Sequence, residues 1–273
     1  MKCIICGNSD HQKLFEGIVK CSGCGLVFFD QDLSEDEIKK LYKEGYFKGE
    51  EYCDYEEDKN ILQKNFTSRL KDILRYKKQG NLFEIGSAYG YFLEKAKKYF
   101  DVEGIDITEK PTAFARNKLG LNVHTGNYLD FEISEKKDLF CMWDTIEHLR
   151  EPQKFIEKIS RDIKTGGYLF LTTGDIGSLV PKMQGRKWRL IHPPTHLYYF
   201  SRDTIKKLLE QKGFEVLEIK HPGFHRSLSQ IIYALLYLKR RKNSEKAKKI
   251  LKLIDFPLYL NTFDIMHVIA RKK

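Results

Sequence analysis

Asn81-Leu82-Phe83-Glu84-Ile85-Gly86-Ser87-Ala88-Tyr89-Gly90 is the stretch that decides the fold. An apolar run of strand character ends in Gly86, Gly90 follows four residues on, and a helical pattern starts at Tyr91. Glycines at a strand-to-helix turn let the backbone approach a ligand closely, and the helix N-terminus favours a carboxylate or phosphate. Ala88 and Tyr89 break the G-x-G-x-x-G dinucleotide fingerprint. Outward from this turn, short β-rich runs (Leu82–Ile85, Val102–Ile107, Leu139–Trp143, Tyr168–Thr172) alternate with helical stretches (Tyr91–Phe100, Thr112–Leu119, Gln153–Lys164). The alternation predicts βαβ units around a parallel sheet covered on both faces, an α/β doubly wound fold.

The residues that end these strands carry chemistry. Asp106 lies twenty residues past Gly86, at the C-terminal end of the second strand. There a carboxylate is placed to accept both ribose hydroxyls of a nucleoside, or else it caps the next helix. Gly126-Asn127-Tyr128 follows the third strand and offers an amide and an aromatic ring to an adenine. The fourth strand ends Trp143-Asp144, followed by Thr145-Ile146-Glu147-His148-Leu149. Upstream, the spacing of Ile61, Leu62, Phe66, Leu70, Ile73 and Leu74 predicts an amphipathic helix from roughly 56 to 78. Downstream, Ser201-Arg202-Asp203-Thr204 caps a helix ending at Gly213, a strand covers Phe214–Ile219, and the last strand covers Phe263–Ala270.

Four of the six cysteines form two C-x2-C pairs, Cys3/Cys6 and Cys21/Cys24, each followed by glycine. That glycine permits a tight turn in which backbone N–H groups point at the sulfurs, so two such knuckles suit a tetrahedral, structural zinc ion. A redox dithiol or two disulfides are the alternatives. About 30 residues cannot bury enough surface to fold without such a site. Cys53 and Cys141 read as ordinary thiols.

The Gly80–Leu217 region resembles the class I S-adenosylmethionine-dependent methyltransferases, on the E-x-G-x-x-x-G turn, Asp106, Glu147-His148-Leu149 and Gly166-Gly167-Tyr168-Leu169. The resemblance implies a Rossmann-like seven-stranded sheet. It also implies that Glu84, Gly86 and Gly90 contact the methionine part of S-adenosylmethionine, and that Asp106 holds its ribose. By the same resemblance Asn127 and Tyr128 are expected to read its adenine, Asn127 standing where an aspartate is common, and Asp144 to add a further cofactor contact. With the zinc ribbon and Pro193-Pro194-Thr195-His196-Leu197-Tyr198-Tyr199-Phe200, the chain is similar to carbohydrate and nucleotide-sugar methyltransferases. Their catalytic histidine maps onto His196, while Thr195 stands where they carry a glutamate. His196 is the expected base, or else a structural histidine pinning the Pro193-Pro194 loop; His148 and His192 are weaker candidates. Tyr42, Tyr46 and Tyr52 are candidate lid residues.

Composition sets the boundaries. The 273 residues are 41% hydrophobic and 32% charged, which excludes wholesale disorder, and no apolar run approaches the ~20 residues that span a bilayer. The first residues lack a secretory apolar core, so a cytoplasmic protein is expected. The expected organisation is a zinc ribbon at 1–30, a helical linker or lid at 31–79, and a methyltransferase domain at 80–273 with a helical insertion at 225–260. Of the net +10, residues 221–273 hold +9: twelve Lys or Arg against Glu245, Asp255 and Asp264. Within it, the apolar run at 227–238 abuts Lys239-Arg240-Arg241-Lys242, and a second helix is expected over 244–254. This segment reads as a contact with an anionic membrane, as an RNA patch, or as a plain helical cap. Residues 1–30 balance to zero, three lysines against three acids, which disfavours a nucleic-acid grip. The expected activity is methylation of a small acceptor, a sugar, nucleotide sugar or lipid-linked intermediate. The alternatives are a zinc-containing rRNA or tRNA methyltransferase, or a non-catalytic binding protein that kept the fold.

Overall fold

Short antiparallel strands cannot bury both faces on their own, and the N-terminal ones here borrow a strand and a core from the rest of the chain. The computed structural model describes residues 1–31, 37, 59–229, 231, 232 and 256–273. The Cys knuckles flank β1 (His11–Phe15), β2 (Ile18–Cys21) and β3 (Val27–Phe29). The third strand pairs onward with a two-residue strand nearly 170 residues later, described below. The Ser34-led helix (Glu37 apart), the aromatic stretch 42–55 with Tyr42, Tyr46, Tyr52 and Cys53, and Lys239–Lys242 with the second insertion helix lie outside the described residues.

Helix α1 (Lys59–Tyr76) buries Phe66, Leu70 and Ile73, the stripe read from the sequence. It leads into β4 (Asn81–Ile85), α2 (Tyr91–Ala96), β5 (Asp101–Asp106), α3 (Glu109–Leu119) and β6 (Asn122–Thr125). There follow β7 (Lys137–Trp143), α4 (Pro152–Asp162), β8 (Ile163–Gly174), α5 (Leu179–Gln184) and β9 (Tyr198–Tyr199). The chain closes with α6 (Arg202–Gln211), β10 (Phe214–Lys220), the hairpin β11 (Phe224–Ser227) and β12 (Pro257–Leu260), and β13 (Ile265–Lys272).

Seven described strands form a mixed sheet in the order β10-β13-β8-β7-β4-β5-β6, with β13 antiparallel to both neighbours and the rest of the pairs parallel. Alternate strand residues face opposite sides, so strands apolar throughout need cover on both. Phe83, Ile85, Phe140 and Met142 enter one buried cluster, and Leu82, Leu139 and Cys141 enter the other, with α1. The first cluster also contains Ile18, Leu26, Val27 and Phe28, so the Cys-rich unit and the sheet share one core. The junction is β3 pairing with β9, Val27 opposite Tyr199 and Phe28 opposite Tyr198.

Several boundaries differ from the sequence reading. Helix α2 stops at Ala96 rather than Phe100, and α3 starts at Glu109, because Pro111 is tolerated in a first turn whose N–H groups need no helical partner. Strand β8 begins before Gly166-Gly167, so this pair lies within it; a Cβ on Gly167 would stand 2.9 Å from the Asp138 carbonyl, a closeness only glycine allows. The last strand starts at Ile265: Asn261 Oδ1 accepts the Phe263 N–H at 2.8 Å, and Asp264 is buried against Trp188, holding 261–264 as a turn. The insertion leaves the body as the β11–β12 hairpin, with helix only from Leu228 onward among the described residues.

The shared core generates a prediction. Phe28→Ala removes a ring that is 1% exposed and should cost about 3–5 kcal/mol. Urea unfolding followed by tryptophan fluorescence and by thiol accessibility should then shift together, in one transition. Early release of the cysteines with the sheet intact would contradict the shared core.

Candidate functional site

Strand order reverses at β4: the chain runs outward to β5 and β6, then returns to β7 on β4's other side. Such a switch point leaves a crevice beyond the carboxyl ends of the strands. Two cavities open there, one of about 450 Å³ and one of about 130 Å³, and both are bounded by Gly86, Trp143, Asp144 and His148.

The smaller cavity is built on the turn after β4. Gly86 has φ of +77°, and a Cβ there would lie 2.5 Å from Thr145 Oγ1, so a larger residue fits neither the backbone nor the space. Asp106 ties this turn to the next one. Its Oδ2 accepts the Ala88 N–H at 2.9 Å, and its Oδ1 accepts the Thr108 N–H at 2.9 Å. Burial lifts the Asp106 carboxyl above its usual range, against the pull of Thr108 and the Ala88 N–H. Asn127 lines the same cavity and is exposed, its Oδ1 accepting the Leu129 N–H at 3.1 Å.

Two residues from the sequence reading are placed differently. Tyr128 borders the smaller cavity, but its ring is 1% exposed among Phe83, Phe140 and Phe155, and its hydroxyl donates to Asp162 at 2.7 Å. Its ring is a core group, fixed there by a strong hydrogen bond. Gly90 borders neither cavity; a Cβ on it would meet Leu121 at 2.7 Å and Ala115 at 3.0 Å, so it lets α2 pack on α3.

The larger cavity draws on elements far apart in sequence. Glu84, on β4, is 2% exposed, and its Oε2 has no hydrogen-bond partner among the described residues. Burial, then the neighbouring Asp106 charge, push its carboxyl well above the usual range, while Arg69 opposes them. Asp144, held at φ of +49°, pairs with Arg69 at 3.0 Å, and that guanidinium lies 4.9 Å from the Trp143 ring. Sequence reading missed Arg69. It sits three residues after Phe66 on an ordinary amphipathic helix, and only the tertiary packing of α1 brings it to the crevice.

His196 lines the same cavity from the loop before β9 and is 4% exposed. Its ring centroid lies 4.0 Å from that of His192 and 4.5 Å from that of His148. Burial, then the His148 and His192 charges, hold its imidazole well below the usual histidine range, against a hydrogen bond to the Leu190 carbonyl. His148 Nδ1 lies 2.8 Å from the Thr195 carbonyl, so Nδ1 carries a proton and donates it there. The Thr195 hydroxyl serves the loop, donating to the His192 carbonyl at 2.8 Å. Two backbone bonds connect this loop to its neighbours: Leu197 N–H to the Glu147 carbonyl, and Phe29 N–H to the Leu197 carbonyl.

At the other end of that linkage the sulfurs of Cys3, Cys6, Cys21 and Cys24 lie within 4.8 Å of one another. At Cys21 burial opposes ionisation, but the N–H groups of Cys24 and Gly23 and the thiols of Cys6 and Cys3 outweigh it, bringing that thiol down to about 6. Burial pushes Cys24 and Cys3 up. Cys141 is buried inside the sheet and far from this group's role.

Comparison with known proteins agrees with this geometry. A family model described as a methyltransferase domain matches residues 57–219. An uncharacterised protein of Methanocaldococcus jannaschii is 26% identical over 167 residues, 61% of this chain and 78% of its own. A chain from the complex of the Haloferax volcanii Trm112 methyltransferase activator with a candidate methyltransferase superposes with a TM-score of 0.58 at 14% identity, covering 88% of this chain and 99% of that one. The N-methyltransferase NodS of Bradyrhizobium japonicum, solved with S-adenosyl-L-homocysteine, superposes with a TM-score of 0.50 at 14% identity, covering 78% and 87%. At these identities the structural likenesses concern the fold.

The buried Glu84 makes stability depend on pH. A carboxyl raised on folding stabilises fully below its unfolded pKa, near 4, and that contribution is lost as pH rises towards the folded value. Glu84→Gln removes this titration, so in the ligand-free protein its stability relative to the parent should climb from pH 4 to pH 8. Urea titrations at several pH values check this; a difference that falls over the same range would contradict a neutral, buried Glu84.

Proposed function

We propose that this chain, which belongs to the methyltransferase domain family and is an S-adenosylmethionine-dependent methyltransferase, methylates a small acceptor taken into the larger cavity. The single observation that carries the reading is the pair of cavities meeting at Gly86, Trp143, Asp144 and His148, one built on the Gly86 turn and Asp106 and the other lined by His196. The residues present fit the cofactor. Glu84 Oε2, Ser87 Oγ and Trp143 Nε1 are buried polar atoms without partners among the described residues, and all three belong to residues lining the larger cavity.

In this reading Asp106 accepts the ribose hydroxyls, and the Asn127 NH2 donates to the adenine. Arg69 takes the methionine carboxylate, and Glu84 takes the ammonium, which restores its ionised form. When bound, S-adenosylmethionine supplies a methyl group activated by its sulfonium charge. The chain's own contribution is placement: the turn at Gly86 and the Asp106 clamp fix one reactant, and the walls of the larger cavity fix the other. His196 faces the acceptor's proton-bearing atom as the neutral imidazole that burial enforces. The expected acceptors are sugars, nucleotide sugars or lipid-linked intermediates, the last met at an anionic surface through the basic segment 227–254.

The four clustered thiols suit one zinc ion, whose charge favours the thiolate form that burial opposes at Cys3 and Cys24. Its role in this reading is to fix β3, and through β9 the loop that carries His196.

Calorimetry with S-adenosyl-L-homocysteine tests the cofactor assignment. Asp106→Ala should abolish binding while the protein stays folded, and Arg69→Gln should weaken it about tenfold, the loss of one charge-assisted contact. Unchanged affinity in both variants would reject this placement of the nucleoside and the methionine.

A further inference from the structure

Two imidazoles and a carboxylate converge at the acceptor end of the larger cavity. Glu147 and His148 come from the single helical turn after β7, and His196 comes from the loop before β9. One ligating atom from each of the three lies within 4.8 Å of the others. Metal ligands about 2.1 Å from a common ion stand roughly 3–4 Å apart, so the group closes around an ion by side-chain rotations on the order of an ångström. The backbone is already set for this, since the Leu197 N–H donates to the Glu147 carbonyl at 2.9 Å and draws the two segments together.

The two histidines are oriented as metal-binding histidines are. Such a ring gives its other N–H to a carbonyl or carboxylate, which fixes the tautomer and aims the lone pair. His148 does so through Nδ1 to the Thr195 carbonyl, and the ring of His196 bonds the Leu190 carbonyl. Glu147 and His196 are each 4% exposed, so the three ligands occupy a dry wall while the cavity supplies the open side.

We propose that Glu147, His148 and His196 form a second metal site, distinct from the cysteine cluster, that binds a divalent cation of the manganese, iron or zinc kind with open positions facing the acceptor. Imidazole and carboxylate ligands suit these ions, whereas the thiolates at the N-terminus select softer ones. The inference rests on the reading of this cavity as the acceptor site and narrows the acceptor class. A cation here polarises an oxygen and lowers the pKa of a hydroxyl bound to it, so the site favours acceptors with ionisable or chelating oxygens over amines. Coordination takes the place of the base role given to His196 above, because an imidazole nitrogen that holds the ion cannot also accept the acceptor's proton.

Manganese is the probe that separates the two sites. With the full-length chain, electron paramagnetic resonance of Mn2+ should show about one ion bound per chain, and both Glu147→Gln and His196→Ala should weaken that binding at least tenfold. Zinc content of the cysteine cluster, measured by mass spectrometry, should be unchanged in both variants. Glu147→Gln keeps the shape of the side chain and decides the matter if His196→Ala does not fold. Parallel calorimetry with S-adenosyl-L-homocysteine should show intact binding, so failure of the metal site is told apart from failure of the cofactor reading. Absence of Mn2+ and of any zinc beyond the cysteine cluster in the parent protein would overturn the proposal, as would Mn2+ binding unaffected by Glu147→Gln.

Discussion

The carboxylate of Asp106 holds two turns together. By accepting the N–H of Ala88 from one and that of Thr108 from the other, it fixes the spacing between the ends of β4 and β5. That spacing is the mouth of the smaller cavity. A carboxylate has about four lone-pair positions, so it can hold both turns and still offer oxygen to a ligand. Gly86 makes the arrangement possible because its missing side chain leaves room for Thr145, which belongs to the turn after β7. Three strand ends are thereby registered against one another by one acid and one absent methyl group.

The second cavity depends on a different constraint. The loop carrying His196 has little regular structure of its own, yet it ends in β9, which completes the Cys-rich sheet. Phe29, Leu197 and Glu147 form a continuous run of backbone hydrogen bonds from that sheet to the crevice. An ion held by the four cysteines would therefore act on the larger cavity through main-chain geometry, from outside it. The sharing of one hydrophobic cluster by Phe28, Tyr198 and Phe140 makes the connection stiff.

What could be read in the sequence follows from how local each signal is. The central strands and α1 were legible because apolar runs and a 3.6-residue stripe record burial directly, and the four cysteines because C-x2-C followed by glycine is a local device. Asp106 was legible as the acid ending the second strand. Tyr128 does border the smaller cavity, but an aromatic next to a loop amide looks the same in sequence whether its ring faces a ligand or the core; the partner that holds the ring in the core, Asp162, is 34 residues away. Gly90 was read as a ligand contact; in the fold its absent side chain makes room for Ala115 of α3 and for Leu121 just before β6. Arg69, the meeting of Glu147 and His148 with His196, and the pairing of β3 with β9 had no local signature. Each is made by contacts between segments that only the folded sheet brings together.

Hydrogen–deuterium exchange with and without S-adenosyl-L-homocysteine tests the central claim most directly, because it reports on both turns at once without altering either. The account predicts slowed exchange together at 86–88, 106–108 and 126–129, with a smaller effect along α1 around Arg69. Protection confined to other parts of the chain, or protection of one turn without the other, would contradict it.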